Sequence, residues 1–211
     1  RLHPTQPVYI VTHAHDRILF VDLTFVPLVE SVADKLDSVE QYVVLTDRAH
    51  MHDTSLPNAV SYEDFLGGGG DFEWPEIPES DAAALCYTSG TTGNPKGVLY
   101  SHRSTVLHAL GVSLPDVFNL GRATTVLPIV PMFHACAWGL PYGAAATGAR
   151  MVMPGPKMDP VSITELLDSE EVNFAAGVPS VFFPLLQHWR EHGRPAALEM
   201  VLLGGSAPPQ S

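Results

Sequence analysis

The chain is poor in cysteine, in positive charge and in long apolar runs, and each shortage removes a class of protein. Only two cysteines, Cys86 and Cys136, occur in 211 residues, fifty positions apart. That excludes the dense disulfide framework of a small secreted scaffold and the paired spacing of a zinc site. There are 11 Lys plus Arg against 23 Asp plus Glu, a formal charge of −12, and the basic residues are scattered singly. Such a surface lacks the electrostatic footprint for nucleic acid or an anionic membrane. No run of about eighteen uncharged apolar residues exists, so no integral membrane segment is expected. The start RLHPTQ lacks the charged leader and apolar core of a signal peptide. The expectation is a soluble protein of a reducing cytoplasm.

What is present points to a folded core. With 45% hydrophobic residues, the length suits one domain or two small ones. Apolar runs over 17–23 and 42–47 read as buried strands. Between them Phe25, Leu28, Val29, Val32 and Leu36 recur at helical intervals over 24–36. Strand, helix, strand is the order of a parallel sheet with crossover helices, hence an α/β lobe over 1–66. Four glycines at 67–70, then Pro75 and Pro78 among acidic residues, make 67–81 a linker or surface loop. From 82 to 211 the alternation resumes: strands near 82–87, 123–130, 149–154, 173–177 and 198–205, with helices over 101–114, 139–149, 160–169 and 180–192. Small residues over 139–149 suit a helix packed close to a neighbour, and Pro179 suits the first turn of the last helix. Arg1 in place of Met, and GGSAPPQS directly after an apolar run, read as cut ends of a longer chain.

The most informative segment is YTSGTTGNPKG, residues 87–97, between an apolar strand and the helix beginning near Ser101. Thr88, Ser89, Thr91 and Thr92 supply hydroxyls; Gly90, Gly93 and Gly97 let successive backbone N–H groups converge on an anion; Lys96 supplies a compact positive charge. A loop leading into a helix adds the favourable end of its dipole. The pattern reads as a phosphate cradle. It is not the common mononucleotide loop, because Lys96 lies between Pro95 and Gly97 rather than before Ser or Thr.

This segment, with PMFHACAWG (131–139), LLGGSAPP (202–209) and the opening DRILFVD, resembles the motifs of the adenylate-forming superfamily in order and approximate spacing. That group comprises acyl-CoA synthetases, luciferases and peptide-synthetase adenylation domains. The resemblance implies a central fragment of a large N-terminal α/β domain, with Thr88, Ser89, Gly90, Thr91, Thr92, Gly93 and Lys96 around the ATP phosphates. It further implies that Thr88 helps to hold Mg²⁺ and that His134 stands near the reacting carboxylate. Trp138 would gate the acyl tunnel, Gly177 and Val178 would line it, and Gly204, Gly205, Ser206 and Ala207 would lie flat against adenine and acyl chain. A core aromatic is nearly as good a reading of Trp138, and an ordinary glycine turn is the plain one for 204–207.

The implied chemistry is attack of a carboxylate on the ATP α-phosphate, release of pyrophosphate, then displacement of AMP by coenzyme A. Amino-acid-activating relatives carry an Asp just after the aromatic of the second motif, whereas Phe133 is followed here by His134 and Ala135. An uncharged acyl tail, and so a fatty acid substrate, fits better. An aryl or short-chain acid is the alternative, and a non-catalytic nucleotide- or acyl-binding module the alternative of a different class. Relatives also carry a further Mg²⁺-binding Glu, a ribose-binding Asp and a lysine-bearing C-terminal domain, none found in these 211 residues, so the isolated chain is expected to have little ligase activity. Relatives are often homodimers. The His-containing runs THAHDR (12–17) and HMHD (50–53) miss the register of a binuclear metal site and read as surface histidines. Cys86 and Cys136 read as buried small hydrophobes.

Overall fold

The structure, a computed structural model, describes residues 5–88 and 94–206. These fall into two compact units. One is drawn from the chain up to Glu76 with the segment ending at Lys96; the other comprises Ile77–Thr88 and the chain from Gly97 onward.

In the first unit, α1 (Thr5–Ala14) precedes β1 (Ile18–Val21), β2 (Gln41–Val44) and β3 (Ala59–Ser61), which form one parallel sheet in the order β1-β2-β3. The single helix expected over 24–36 is instead three pieces: a 3₁₀ turn at Leu23–Phe25, α2 (Val26–Glu30) and a second 3₁₀ turn at Ala33–Lys35. Asp22 caps the first by accepting from Thr24 N–H, Pro27 sits in the first turn of α2, and Val32 leaves helical geometry at φ −130°. The apolar spacing still serves burial. Val26, Val32 and Leu36 join Val11, Val21, Tyr42, Val44 and Leu56 in one cluster. A carboxylate completes the unit: Glu30 accepts from Thr54 Oγ1 and Ser55 N, each at 2.7 Å, and from Ser55 Oγ at 3.1 Å. After β3, the short α3 (Tyr62–Leu66) is capped by the buried Ser61, whose hydroxyl accepts from Asp64 N. The sequence pattern does not anticipate α1, β3 or α3.

The second unit begins with β4 (Ala82–Thr88), which pairs with β5 (Lys96–Ser101) in a two-stranded sheet. β5 corrects the expectation of a loop running straight into a helix: a strand intervenes, and α4 (His102–Val112) starts only after Ser101, whose hydroxyl accepts from Ser104 N at 3.1 Å. The dipole of α4 is therefore set apart from the loop by six residues of strand.

The remaining strands are β6 (Thr125–Pro128), β7 (Arg150–Met151), β8 (Phe174–Gly177) and β9 (Met200–Leu203), parallel throughout in the order β7-β6-β8-β9. Between β6 and β7 lie α5 (Ala135–Trp138) and α6 (Leu140–Thr147); α7 (Pro160–Ser169) and α8 (Pro179–His192) supply the next two crossovers. Both faces of the sheet are covered, as a parallel sheet requires. Leu127 and Ala175 face Ile163, Leu167, Phe182, Leu185 and Trp189 of α7 and α8. Their neighbours Val126, Phe174 and Ala176 face the opposite cluster with Val112, Leu120, Ala137 and Leu140. Period-2 alternation thus divides each strand between two helical layers. The close approach expected of α6 occurs at Gly143, where a Cβ would lie 2.7 Å from Leu120 Cδ1 and 2.9 Å from Val112 Cγ2. Trp189 Nε1 donates to Thr164 Oγ1 at 2.8 Å, tying α8 to α7.

The strand order has a functional consequence. From β6 the chain crosses to β7 on one side, while β8 and β9 lie on the other. The carboxyl ends of β6 and β8 flank a reversal of strand order, the position where open α/β sheets form crevices.

Candidate active site

The segment leaving β6 enters that crevice. Ile129 N and Val130 N both donate to Ala176 O, at 2.7 and 3.0 Å, extending the β6–β8 pairing past the last regular strand residue. The chain then turns at Pro131, with His134 N donating to Pro131 O at 3.0 Å, and leaves Phe133 and His134 exposed.

Beyond His134 the backbone takes an uncommon path. Ala135, Cys136, Ala137 and Trp138 all have positive φ (47°, 52°, 50° and 56°), and Gly139 continues at 73°. At Cys136 and Ala137 ψ is 51° and 46°, so α5 is a left-handed turn. Each non-glycine residue in this conformation costs roughly 1–2 kcal/mol. The surroundings offset that strain. Ala137 is fully buried in the core, His108 Nε2–H on α4 donates to Trp138 O at 2.9 Å, and Gly139 N donates to Cys136 O at 3.0 Å. Strain of this kind, held by tertiary contacts, gathers at ligand sites.

The turn delivers the Trp138 ring onto the backbone after β9. A Cβ on Gly204 would lie 2.8 Å from Trp138 Cη2 and 2.9 Å from Cζ2, so the indole packs where only glycine leaves room. Gly204 N donates to Gly177 O at 3.2 Å. Gly205 adopts φ +86°, and a Cβ there would touch Val178 Cγ1 at 3.4 Å. Trp138, Gly177, Val178, Gly204 and Gly205, far apart in sequence, are thus gathered at one sheet edge, with the exposed Ser206 next in the chain. Thr88 ends β4 and Lys96 begins β5, bracketing the glycine-rich segment. Ser89, Gly90, Thr91, Thr92, Gly93 and Ala207 lie outside the described residues.

Beside the turn lies a cavity of about 410 Å³, walled among others by Tyr100, Thr105, His108, Cys136, Trp138 and Tyr142. Among the described residues, no Asp, Glu, Lys or Arg lines it. The size falls within the range of small-molecule pockets. Cys86 meets this wall through Cys136. Burial, reinforced by the neighbouring Cys136, pushes the Cys86 thiol up; the contact with Cys136, then burial, pushes the Tyr142 hydroxyl up. Sequence reasoning misses the α4 wall. Ser104, Thr105 and His108 lie there at helical spacing, a polar stripe on one helix face that periodicity alone could have flagged. It also misjudges the cysteines, which are half-exposed with their sulfurs 3.6 Å apart.

The full chain, residues 1–211, matches the family described as AMP-binding enzyme. It is 45% identical over 213 residues to a medium-chain-fatty-acid–CoA ligase of Ectopseudomonas oleovorans, covering 100% of this chain and 39% of that protein. It is 46% identical over 213 residues to a 3-methylmercaptopropionyl-CoA ligase of Ruegeria lacuscaerulensis, covering 100% of this chain and 40% of that one. The fold is similar to that of the inhibitor-bound N-terminal domain of FACL13 from Mycobacterium tuberculosis, with a TM-score of 0.81 at 21% identity, covering all of this chain and 50% of that domain. The chain therefore spans about two fifths of the length of these curated relatives.

Proposed function

Because the chain belongs to the AMP-binding enzyme family, we propose that it supplies nucleotide- and acyl-binding parts of an ATP-dependent fatty acid–CoA ligase. The observation that carries the fatty-acid reading is the cavity of about 410 Å³ beside Trp138, which among the described residues has no Asp, Glu, Lys or Arg to pair an ammonium or second carboxylate. An aliphatic tail entering it exchanges water for apolar wall, at roughly 25 cal/mol per Å² buried.

In this reading the carboxylate end of the acid lies toward His134, and Lys96 places a positive charge against the ATP phosphates. The carboxylate attacks the α-phosphate, pyrophosphate leaves, and coenzyme A displaces AMP in a second half-reaction. This chain's contribution is positioning: bound carboxylate and phosphate meet in line, and Lys96 offsets the growing negative charge. Thr88, exposed at the carboxyl end of β4, presents a hard oxygen suited to Mg²⁺, which takes most other ligands from phosphate and water. The ion, when bound, would neutralise phosphate charge. Trp138 lies on Gly204, so its ring must shift before any ligand reaches that backbone. Among the described residues no helix is long and apolar enough to cross a membrane, and we place the enzyme in the cytoplasm.

A ligase for a shorter acid is the second reading, favoured by the 46% identity to the 3-methylmercaptopropionyl-CoA ligase. Calorimetry with ATP and Mg²⁺ on the full-length protein, wild type and Lys96→Ala, tests the nucleotide part. Loss of one charge-assisted phosphate contact should weaken binding about 10- to 100-fold, from about 1.5–3 kcal/mol. Unchanged affinity would remove Lys96 from the phosphate site. Steady-state CoA-ester formation across a series of straight-chain acids decides between the readings: kcat/KM rising with chain length supports a fatty acid, and a maximum at three or four carbons supports the short one.

A further inference from the structure

We propose that Cys86 and Cys136 form a redox-sensitive dithiol site, and that its oxidation to a disulfide closes the acyl cavity. The two sulfurs approach to 3.6 Å although they are fifty positions apart in sequence. Both residues are half-exposed, and Cys136 lines the cavity, where a small solvent-borne oxidant can reach it. Tyr142 Oη donates to Cys136 Sγ at 3.6 Å, a contact that favours charge on that sulfur as it reacts.

The oxidant is a low-molecular-weight disulfide of the glutathione class. The Cys136 thiolate attacks one of its sulfurs, expelling one small thiolate and leaving a mixed disulfide on Cys136. The Cys86 thiolate then attacks the Cys136 sulfur, expelling the second small thiolate. Two protein thiols are oxidised, one small disulfide is reduced to two thiols, and the two protons from the cysteines end on the departing thiols.

Bond formation draws the sulfurs from 3.6 Å to about 2 Å. β4 is a paired strand, whereas Cys136 sits in the strained left-handed turn, so the turn yields. Trp138 belongs to the same turn, its carbonyl held by His108 and its ring laid on Gly204. The displacement therefore passes through two residues to the indole. The effect on activity rests on the acyl-cavity reading above; the cross-link does not.

The test uses the full-length protein, treated with oxidised glutathione, alkylated and digested with trypsin. Cys86 falls in the tryptic peptide 49–96 and Cys136 in 123–150. The two peptides are expected joined, and separate again after dithiothreitol. Fatty acyl-CoA formation should fall on the order of a hundredfold on oxidation, the scale for an ångström-sized misplacement at a reacting site. Dithiothreitol should restore it, and in a Cys86→Ser protein the same oxidant should leave Cys136 joined to glutathione with no cross-linked peptide pair. Reversal in the wild type keeps the test independent of that variant's folding. Both cysteines alkylated, or each carrying its own glutathione, would overturn the dithiol site. A cross-link that leaves turnover unchanged would overturn the closure. A cross-link in a protein inactive even when reduced would support the dithiol site and count against the ligase reading instead.

Discussion

Replacing Gly139 with alanine should expose the forces that hold the left-handed turn. Gly139 sits at φ +73°, where a Cβ costs roughly 1–2 kcal/mol. That Cβ would also fall 2.5 Å from His108 Nε2, far inside van der Waals contact. The ring is not free to retreat, because Nε2–H donates to Trp138 O at 2.9 Å. Overpacking against an anchored group adds about 1–3 kcal/mol, for a total near 2–5 kcal/mol. In a His108→Ala background the steric part vanishes and only the backbone part of about 1–2 kcal/mol should remain. Urea unfolding of wild type, both single variants and the double variant gives the cycle, with constant slopes licensing comparison of midpoints. The expected coupling is about 1–3 kcal/mol. Additivity within about 0.5 kcal/mol would refute the idea that the imidazole enforces glycine at this position.

The same geometry sets two other outcomes. Gly204→Ala would place a Cβ 2.8 Å from the Trp138 ring; in a Trp74→Phe, Trp189→Phe background the emission of Trp138 should shift to the red as the indole moves toward solvent, and an unshifted spectrum would mean that the ring does not rest there. The Glu30 carboxyl is held below its ordinary value of 4.5, first by the Ser55 N–H and then by the Thr54 hydroxyl. A depressed folded value means that this contribution to stability is complete above about pH 4.5 and fades as pH falls through the folded value; Glu30→Gln should therefore flatten the acid limb of a stability profile, and superimposable limbs for the two proteins would contradict that assignment.

Some of this architecture is legible directly in the residues and some is not. Helix α7 is legible at its start because Asp159 and Pro160 form a cap and first turn, and along its length because Ile163 and Leu167 repeat at helical spacing. Helix α8 is legible from Pro179 and its apolar face. The stretch over 24–36 carries the same periodicity yet breaks into three pieces, because period reports which side is buried and not whether i to i−4 hydrogen bonds run unbroken. β5 escapes notice because KGVLYS has few marks of a strand until β4 lies beside it. At the site, the glycine-rich segment and the Trp and Gly positions are visible as motifs, while the wall from α4 and the nearness of the two sulfurs are not.

The sequence by itself determined the class of molecule: acidic and cysteine-poor, with alternating strand and helix periods and a hydroxyl- and glycine-rich segment ending in Lys96. Those properties are local, carried by side-chain chemistry and spacing within a few turns of chain. Only the tertiary structure decided that Ala135–Trp138 winds to the left. The composition of that stretch favours an ordinary right-handed helix, and the opposite hand persists because Ala137 is buried, His108 grips the Trp138 carbonyl and Gly204 leaves room for the indole. His108 lies 30 positions before Trp138 and Gly204 further still beyond it, while the burial of Ala137 exists only in the assembled core. No short window of sequence therefore contains the energy that sets the handedness of the turn.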